Sequence, residues 1–100
     1  MFNSNFCFVL PDDFDDYEWE VKAKGCFSET RLIISGKNYR LNFYDPVRLG
    51  QEIVREIETG SVFFEPNVVV IKSVTRSDMQ QAVETLLQSG QLTGLIPDSA

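Results

Sequence analysis

Val68-Val69-Val70-Ile71 is the stretch that decides the fold of this 100-residue chain. Four consecutive β-branched residues favour a strand that is central in a sheet or covered on both sides. Amphipathic helical patterns lie before and after it. Because a helix separates this strand from the strand before it, the pattern allows a crossover, and we expect the strand to run parallel to a neighbour.

The helix before this strand is predicted to begin at Asp45-Pro46. The Asp45 carboxylate can cap it, and Pro46 suits the first helical position, where its missing N–H costs nothing. Gly60 is the expected end of the helix. The apolar residues recur mainly at a spacing of four and form one stripe: Leu49, Ile53, Val54 and Ile57. The following Val62-Phe63-Phe64 is stopped by Pro66, which predicts a short edge segment or a connector.

The helix after the strand is predicted to begin at Thr75, which with Asp78 resembles a capping box. Ser89-Gly90 is expected to end it. Its apolar residues follow the spacing of an amphipathic helix: Met79, Ala82, Val83, Leu86 and Leu87.

The first half of the chain is predicted to be an antiparallel meander of four strands. Phe6–Leu10 is a short apolar run that ends at Pro11, and Asp12–Asp16 is expected to form a turn. From Tyr17 the residues alternate between apolar and charged, which predicts a strand with one buried face. The residues expected on that buried face are Tyr17, Trp19, Val21 and Ala23.

Two further strands complete the meander, around residues 27–34 and 38–43, with a turn at Ser35–Asn38 where Gly36 can take a positive φ. The predicted order is β-β-β-β-α-β-α. We therefore expect an α+β fold, a two-layer sandwich in which two helices cover one face of a mainly antiparallel sheet of about five strands. Residues 1–100 should form a single domain, with residues 91–100 as a loosely packed C-terminal tail.

The chain is acidic, with nine basic and fifteen acidic residues and a net charge of −6. Such a surface repels nucleic acid and anionic membranes on average. The first residues lack the basic region of a signal peptide, and no apolar run reaches the roughly 18 residues of a membrane span. We expect a cytoplasmic protein that binds neither nucleic acid nor membranes, in which Cys7 and Cys26 are free, buried thiols; the alternative is a disulfide between them on neighbouring strands.

The absence of histidine from the sequence excludes Ser-His-Asp and Cys-His catalysis within this chain. Zinc-type Cys and His spacings are absent, and so is a glycine-rich phosphate loop. A calcium loop starting at Asp13 fails because Glu18 stands where glycine is required and Lys24 where the last carboxylate is required. The sequence therefore predicts no catalytic residue, no metal site and no cofactor.

Six of the fifteen acidic residues fall between Asp12 and Glu20, interleaved with aromatic residues. One interpretation is a solvated turn and strand face that keeps a small protein soluble. The other is a docking surface for a basic protein, with Phe14 as its aromatic hot spot and Trp19 in the core. The predicted partner-binding residues are Asp12, Asp13, Phe14, Asp15, Asp16, Glu18 and Glu20.

Size, acidity and the lack of catalytic groups give the chain a profile similar to that of small acidic inhibitors and bacterial toxin-immunity proteins. This predicts a non-enzymatic protein that binds a basic protein partner. An alternative is a self-associating structural or accessory subunit, possible as a homodimer, because an open sheet of five strands must leave an unpaired edge and because the apolar Val62-Phe63-Phe64 lies near a proline. A further alternative is a small carboxylate-using enzyme or ligand-binding domain, which requires a concave pocket with convergent polar groups.

Overall fold

The computed structural model describes residues 6–98, so residues 1–5 and 99–100 of the predicted 1–100 domain lie outside the described part. Helices and strands are mixed, and the predicted α+β class is confirmed. The elements in chain order are β1 (Phe6–Val9), α1 (Phe14–Lys24), β2 (Cys26–Phe27), β3 (Arg31–Ile34), β4 (Lys37–Tyr39), β5 (Asn42–Tyr44), α2 (Pro46–Glu58), β6 (Val68–Val70), α3 (Arg76–Ser89) and a 3₁₀ turn (Gln91–Gly94).

Within residues 6–98 the strands form two three-stranded sheets, where the sequence predicts a single sheet of about five strands. The first sheet has the order β1-β3-β4 and is antiparallel. The second has the order β2-β5-β6, in which β5 and β6 are parallel and Phe43 lies opposite Val69. Because α2 connects β5 to β6, the predicted crossover is confirmed. The strands predicted around residues 27–34 and 38–43 are each divided between the sheets: β3 and β4 lie in the first sheet, and β2 and β5 lie in the second.

Helix α1 occupies the region where the sequence pattern predicts a turn followed by a strand, and that prediction is wrong. Phe14, Tyr17 and Val21 recur at spacings of three and four, which places them on one face of a helix. Phe14 and Val21 are buried, and Tyr17 packs against the core. The apolar-charged alternation from Tyr17 onward is compatible with a strand, but the helical spacing that begins at Phe14 prevails.

Charges and a glycine at the ends of α1 also favour the helix. Its first turn carries Asp15 and Asp16, and its last turn carries Lys22 and Lys24, the arrangement that the helix dipole stabilises. Gly25 ends the helix in the left-handed region at φ +78°, where its N–H donates to the carbonyl of Val21.

The buried core lies between α1, α3 and both sheets. Its buried apolar members are Leu10, Phe14, Val21, Leu32, Leu41, Phe43, Val74, Met79 and Val83. Helix α3 supplies Met79 and Val83, whereas α2 supplies no buried residue. The expectation that α2 and α3 both bury an apolar stripe on the sheet therefore holds for α3 only.

The connector between α2 and β6 explains part of this difference. Tyr44 follows the core residue Phe43 in β5, so its side chain points to the opposite face of the second sheet. On that face the Tyr44 ring packs edge-on against Phe63, and its hydroxyl donates to Glu65 Oε1 at 2.7 Å. The connector thus covers the side of the second sheet that faces away from the core.

Thr30 joins the two sheets through a buried pair of hydrogen bonds. Its hydroxyl donates to the carbonyl of Leu41 at 2.8 Å and accepts from the Leu41 N–H at 3.0 Å. Thr30 precedes β3 of the first sheet, and Leu41 precedes β5 of the second. One side chain therefore satisfies both backbone groups of Leu41 at the junction between the sheets.

The variant Thr30→Val is expected to lower the free energy of unfolding by about 2–4 kcal/mol, because two buried backbone groups each lose a partner at a cost of roughly 1–3 kcal/mol. Thr30→Ser keeps the hydroxyl and should cost about 1 kcal/mol or less, the contribution of a methyl group. Urea unfolding measures both. Equal losses in the two variants would show that the hydrogen bonds do not stabilise the junction.

Residues 91–98, for which a loosely packed tail is expected, contact the body of the protein. Leu92 and Leu95 pack against the core. The Asn67 side chain donates to the carbonyl of Ile96 and accepts from its N–H, both at 2.8 Å. The Asp98 N–H donates to the Asn38 carbonyl at 2.8 Å.

Among residues 6–98, no helix combines the length and the apolar character that crossing a membrane requires.

Candidate functional site

The acidic residues predicted to bind a partner lie on α1 or in the two positions before its first residue. Glu18 is half-buried, and the other carboxylates of the set are exposed: Asp12, Asp13, Asp15, Asp16 and Glu20. We call this surface, together with Trp19, the acidic face of α1. A helix gathers these carboxylates onto one element, whereas the predicted turn and strand would have spread them over two.

Arg76, at the start of α3, holds two of these carboxylates. Its guanidinium lies 2.9 Å from Asp15 Oδ1, and its backbone N–H donates to Glu18 Oε2 at 2.8 Å. The same guanidinium stacks over the Phe14 ring at 5.4 Å from the centroid. Arg76 therefore fixes α1 against α3. Within residues 6–98, the remaining carboxylates of the acidic face make no ion pair: Asp12, Asp13, Asp16 and Glu20.

The two aromatic assignments on α1 are reversed relative to the sequence prediction. Phe14, predicted as the exposed hot spot, has an exposed fraction of 0% and packs edge-on against Phe27 at 5.1 Å. Trp19, predicted in the core, has 69% of its surface exposed. The cause is the helix, which is kinked at Tyr17 (φ −132°): beyond the kink Val21 is buried, and Trp19, two residues before Val21, falls outside that buried face. Phe14 is therefore removed from the candidate contact residues and Trp19 takes its place.

A cavity of about 300 Å³ adjoins the acidic face. Its walls come from α1, β2, the loop after β2, β5 and the α2–β6 connector. The lining residues are Tyr17, Glu20, Val21, Lys24, Cys26, Phe27, Ser28, Glu29, Asn42, Phe43, Tyr44 and Glu65. Glu20 belongs both to this cavity and to the acidic face, so the two features are continuous. No sequence signal connects residues so far apart in the chain.

Two tyrosines in the cavity wall experience a negative environment. Burial, together with the hydrogen bond and charge of Glu65, raises the pKa of Tyr44 far above its usual value. Desolvation, and then the charges of Asp13 and Glu29, raise the pKa of Tyr17. Both phenols therefore stay protonated near neutral pH and serve as hydrogen-bond donors rather than bases.

One cysteine lies in the cavity wall and the other lies in the first sheet. Because the sequence has no histidine, Cys26 at the wall has no histidine partner, and the carboxylates that line the same wall are Glu20, Glu29 and Glu65. Cys26 is half-buried, and Cys7 is exposed because Phe6 and Phe8 turn inward on β1 and leave Cys7 outward. The expectation that both thiols are buried is therefore wrong for Cys7. Within residues 6–98, no group of three Cys, Asp or Glu side chains is placed to hold a metal ion.

A second surface is apolar and lies on α2 and the connector that follows it. Val47, Val54 and Ile57 of α2 are exposed, and so are Val62 and Phe64, the latter with 83% of its surface in solvent. Large exposed apolar patches on soluble domains usually mark interaction surfaces. The edge segment predicted at Val62–Phe64 thus forms part of an open apolar surface.

Comparison with protein-family models, with curated proteins and with solved structures found no match to this chain. The charge, burial and shape of its own residues are therefore the grounds on which we infer its function.

Proposed function

We propose that this chain is a small non-enzymatic protein that binds a basic protein partner through the acidic face of α1, as inhibitors and toxin-immunity proteins do. The observation that carries the proposal is Trp19, a large aromatic side chain with 69% of its surface exposed between Glu18 and Glu20. Exposed tryptophans surrounded by polar groups are the residues that most often dominate the energy of protein interfaces.

Charge and rigidity of α1 support this function. Four carboxylates of the acidic face make no ion pair within residues 6–98 and remain available to a basic partner: Asp12, Asp13, Asp16 and Glu20. Such charges accelerate encounter and orient the partner, while the buried aromatic contact supplies most of the affinity. Because Arg76 ties Asp15 and Glu18 to α3, the helix is already held in place before binding. A preorganised surface loses less conformational entropy on association.

The cytoplasm is the proposed location of this interaction. Cys7 and Cys26 are free, and Cys7 is exposed, a state that a reducing compartment maintains.

Affinity capture from the native lysate at low and at high salt tests the function. The bait should retain a basic protein at low salt and release it at high salt, because screening weakens contacts between exposed charges. Two matched bait variants each replace three carboxylates with amides: Asp13, Asp16 and Glu20 in the first, and Glu56, Glu58 and Glu84 in the control. The first should lose the basic protein and the control should retain it. Equal retention by both would contradict the proposal.

Self-association is a second candidate function, favoured by the exposed apolar surface of α2. Val47, Gly50, Val54 and Ile57 recur at spacings of three, four and three, the spacing of a coiled-coil seam. A Cβ placed on Gly50 would meet no atom within 4 Å, so a second helix has room to approach there. A helix with such a seam packs against another helix, and a second copy of this chain supplies that helix in its own α2.

Sedimentation equilibrium measures this association. We expect a reversible dimer with a dissociation constant on the order of micromolar or weaker, since the seam is smaller than the 20–30 residues a side of a standard interface. Val54→Lys should yield a monomer, because the seam would then hold a charge. Gln88→Lys, which adds the same charge on α3, should leave the dimer intact. A wild-type protein that stays monomeric at high concentration would rule this candidate out.

A further inference from the structure

The cavity beside the acidic face of α1 has an unbalanced charge. Glu20, Glu29 and Glu65 line it, and among residues 6–98 the one basic lining residue is Lys24. Glu20 belongs both to the cavity and to the acidic face, so a protein docked on the acidic face lies next to the cavity. A basic side chain of the partner that enters the cavity is attracted by the carboxylates that line it.

Aromatic rings supply another part of the wall. Tyr17, Phe27 and Tyr44 line the cavity, and Tyr17 and Phe27 are themselves in contact with ring centroids 6.4 Å apart. Aromatic faces attract cations and also pack against the methylene stems of lysine and arginine. The volume of about 300 Å³ is at the small end of ligand pockets, which suits one long side chain better than a larger molecule.

Hydrogen bonding in the wall is consistent with a cationic occupant. Tyr44 donates to Glu65 Oε1 at 2.7 Å, which orients that carboxylate and leaves its second oxygen available as an acceptor. Desolvation raises the pKa of Tyr17, and the charges of Asp13 and Glu29 raise it further; those two carboxylates disfavour an anion beside Tyr17 and attract a cation.

We propose that this cavity binds a lysine or arginine side chain of the basic partner. The proposal rests on the proposed function, because it assumes that the partner docks on the acidic face of α1. It adds a specific anchoring site to that function: the exposed carboxylates and Trp19 contact the surface of the partner, and the cavity receives one of its basic side chains.

Small probes test the cavity without the partner. N-acetyl-lysine-methylamide and N-acetyl-arginine-methylamide, titrated into ¹⁵N-labelled full-length protein, should shift the amide resonances of Cys26, Phe27 and Tyr44. The uncharged N-acetyl-norleucine-methylamide, of similar length, should not shift them. Shifts of equal size with the charged and uncharged probes, or no shift with any of them, would overturn the proposal.

Variants then separate the cavity from the acidic face. Glu65→Gln removes one charge and keeps an acceptor for the Tyr44 hydroxyl, and Glu29→Gln removes another charge from an exposed side chain. Each should weaken binding of the captured partner about 3- to 30-fold, whereas Glu84→Gln, a matched change outside the cavity, should change it less than twofold. Glu29→Gln gives an independent result if Glu65→Gln unfolds.

The outcomes distinguish this proposal from the proposed function. If the partner binds in a salt-dependent manner, and both cavity variants bind like wild type, the cavity proposal fails and the docking function stands. If no basic partner is captured but the charged probes still bind selectively, the cation site stands as a property of the cavity and the docking function fails.

Discussion

Replacing Phe14 with alanine is expected to lower the free energy of unfolding by about 3–5 kcal/mol, the usual cost of removing a buried aromatic side chain. Phe14 is completely buried and packs edge-on against Tyr17 and Phe27 at centroid distances of 5.6 and 5.1 Å. The Arg76 guanidinium over its ring would also lose its contact. The variant would therefore lose the contacts that Phe14 makes with the core and with the start of α3.

Urea unfolding of Phe14→Ala and Trp19→Ala provides the matched comparison. Trp19 is exposed, so its replacement should change the free energy of unfolding by no more than about 0.5 kcal/mol. A strand at this place, with Trp19 inside and Phe14 outside, would produce the reverse order of effects. The experiment therefore tests the helix itself, and a larger loss in Trp19→Ala would contradict the fold of this segment.

The second large effect is expected on binding. Trp19→Ala should weaken binding of the basic partner by about 2 kcal/mol or more, roughly 30-fold, the size expected for a tryptophan hot spot. Truncation of Trp19 removes the apolar contact with the partner. What remains is the attraction of the exposed carboxylates, which is weaker and is screened by salt.

Isothermal titration calorimetry measures this loss, with Phe64→Ala as the control. Phe64 is also aromatic and is 83% exposed, but it lies on the connector after α2 rather than on α1. Phe64→Ala should bind the partner as tightly as wild type. A loss in Phe64→Ala with none in Trp19→Ala would move the partner site to the apolar surface of α2.

Sequence signals predicted the elements of the second half closely because their ends are encoded locally. Asp45 accepts from the Arg48 N–H at 2.7 Å, and Pro46 occupies the first helical position, as predicted. Thr75 accepts from the Asp78 N–H at 3.2 Å at the start of α3, and Gly90 ends it in the left-handed region. Caps of this kind depend on a few neighbouring residues, so a pattern reveals them.

The α1 segment could not be assigned from its alternation because residues 14–24 satisfy two periods at once. Tyr17, Trp19 and Val21 alternate with charged residues, while Phe14, Tyr17 and Val21 recur at helical spacing. Burial decides between them, and burial depends on Phe27 and Arg76, which are distant in sequence from Phe14. The helical spacing that begins at Phe14 is the sequence signal that identifies Trp19 as exposed.

The packing of α2 and the cavity depended on tertiary structure and had no local signal. An amphipathic stripe predicts that a helix is packed, but not whether its own chain or another molecule covers the stripe. The cavity brings Glu20, Glu29 and Glu65 together from a helix, a loop and a connector. The sequence predicts where the acidic residues lie. It does not predict that Trp19 is the exposed aromatic side chain among them, or that a cavity lies beside them.

Fluorescence of Trp19 during titration with the captured partner tests the docking proposal most directly. Trp19 is the single tryptophan of the chain and stands at the centre of the proposed contact, so its emission reports that surface alone. A partner without tryptophan, or one with its tryptophans replaced, keeps the signal specific. The account predicts a shift of the emission to shorter wavelength that saturates with binding and reverses at high salt. Binding confirmed by calorimetry with no change in the Trp19 emission would contradict it.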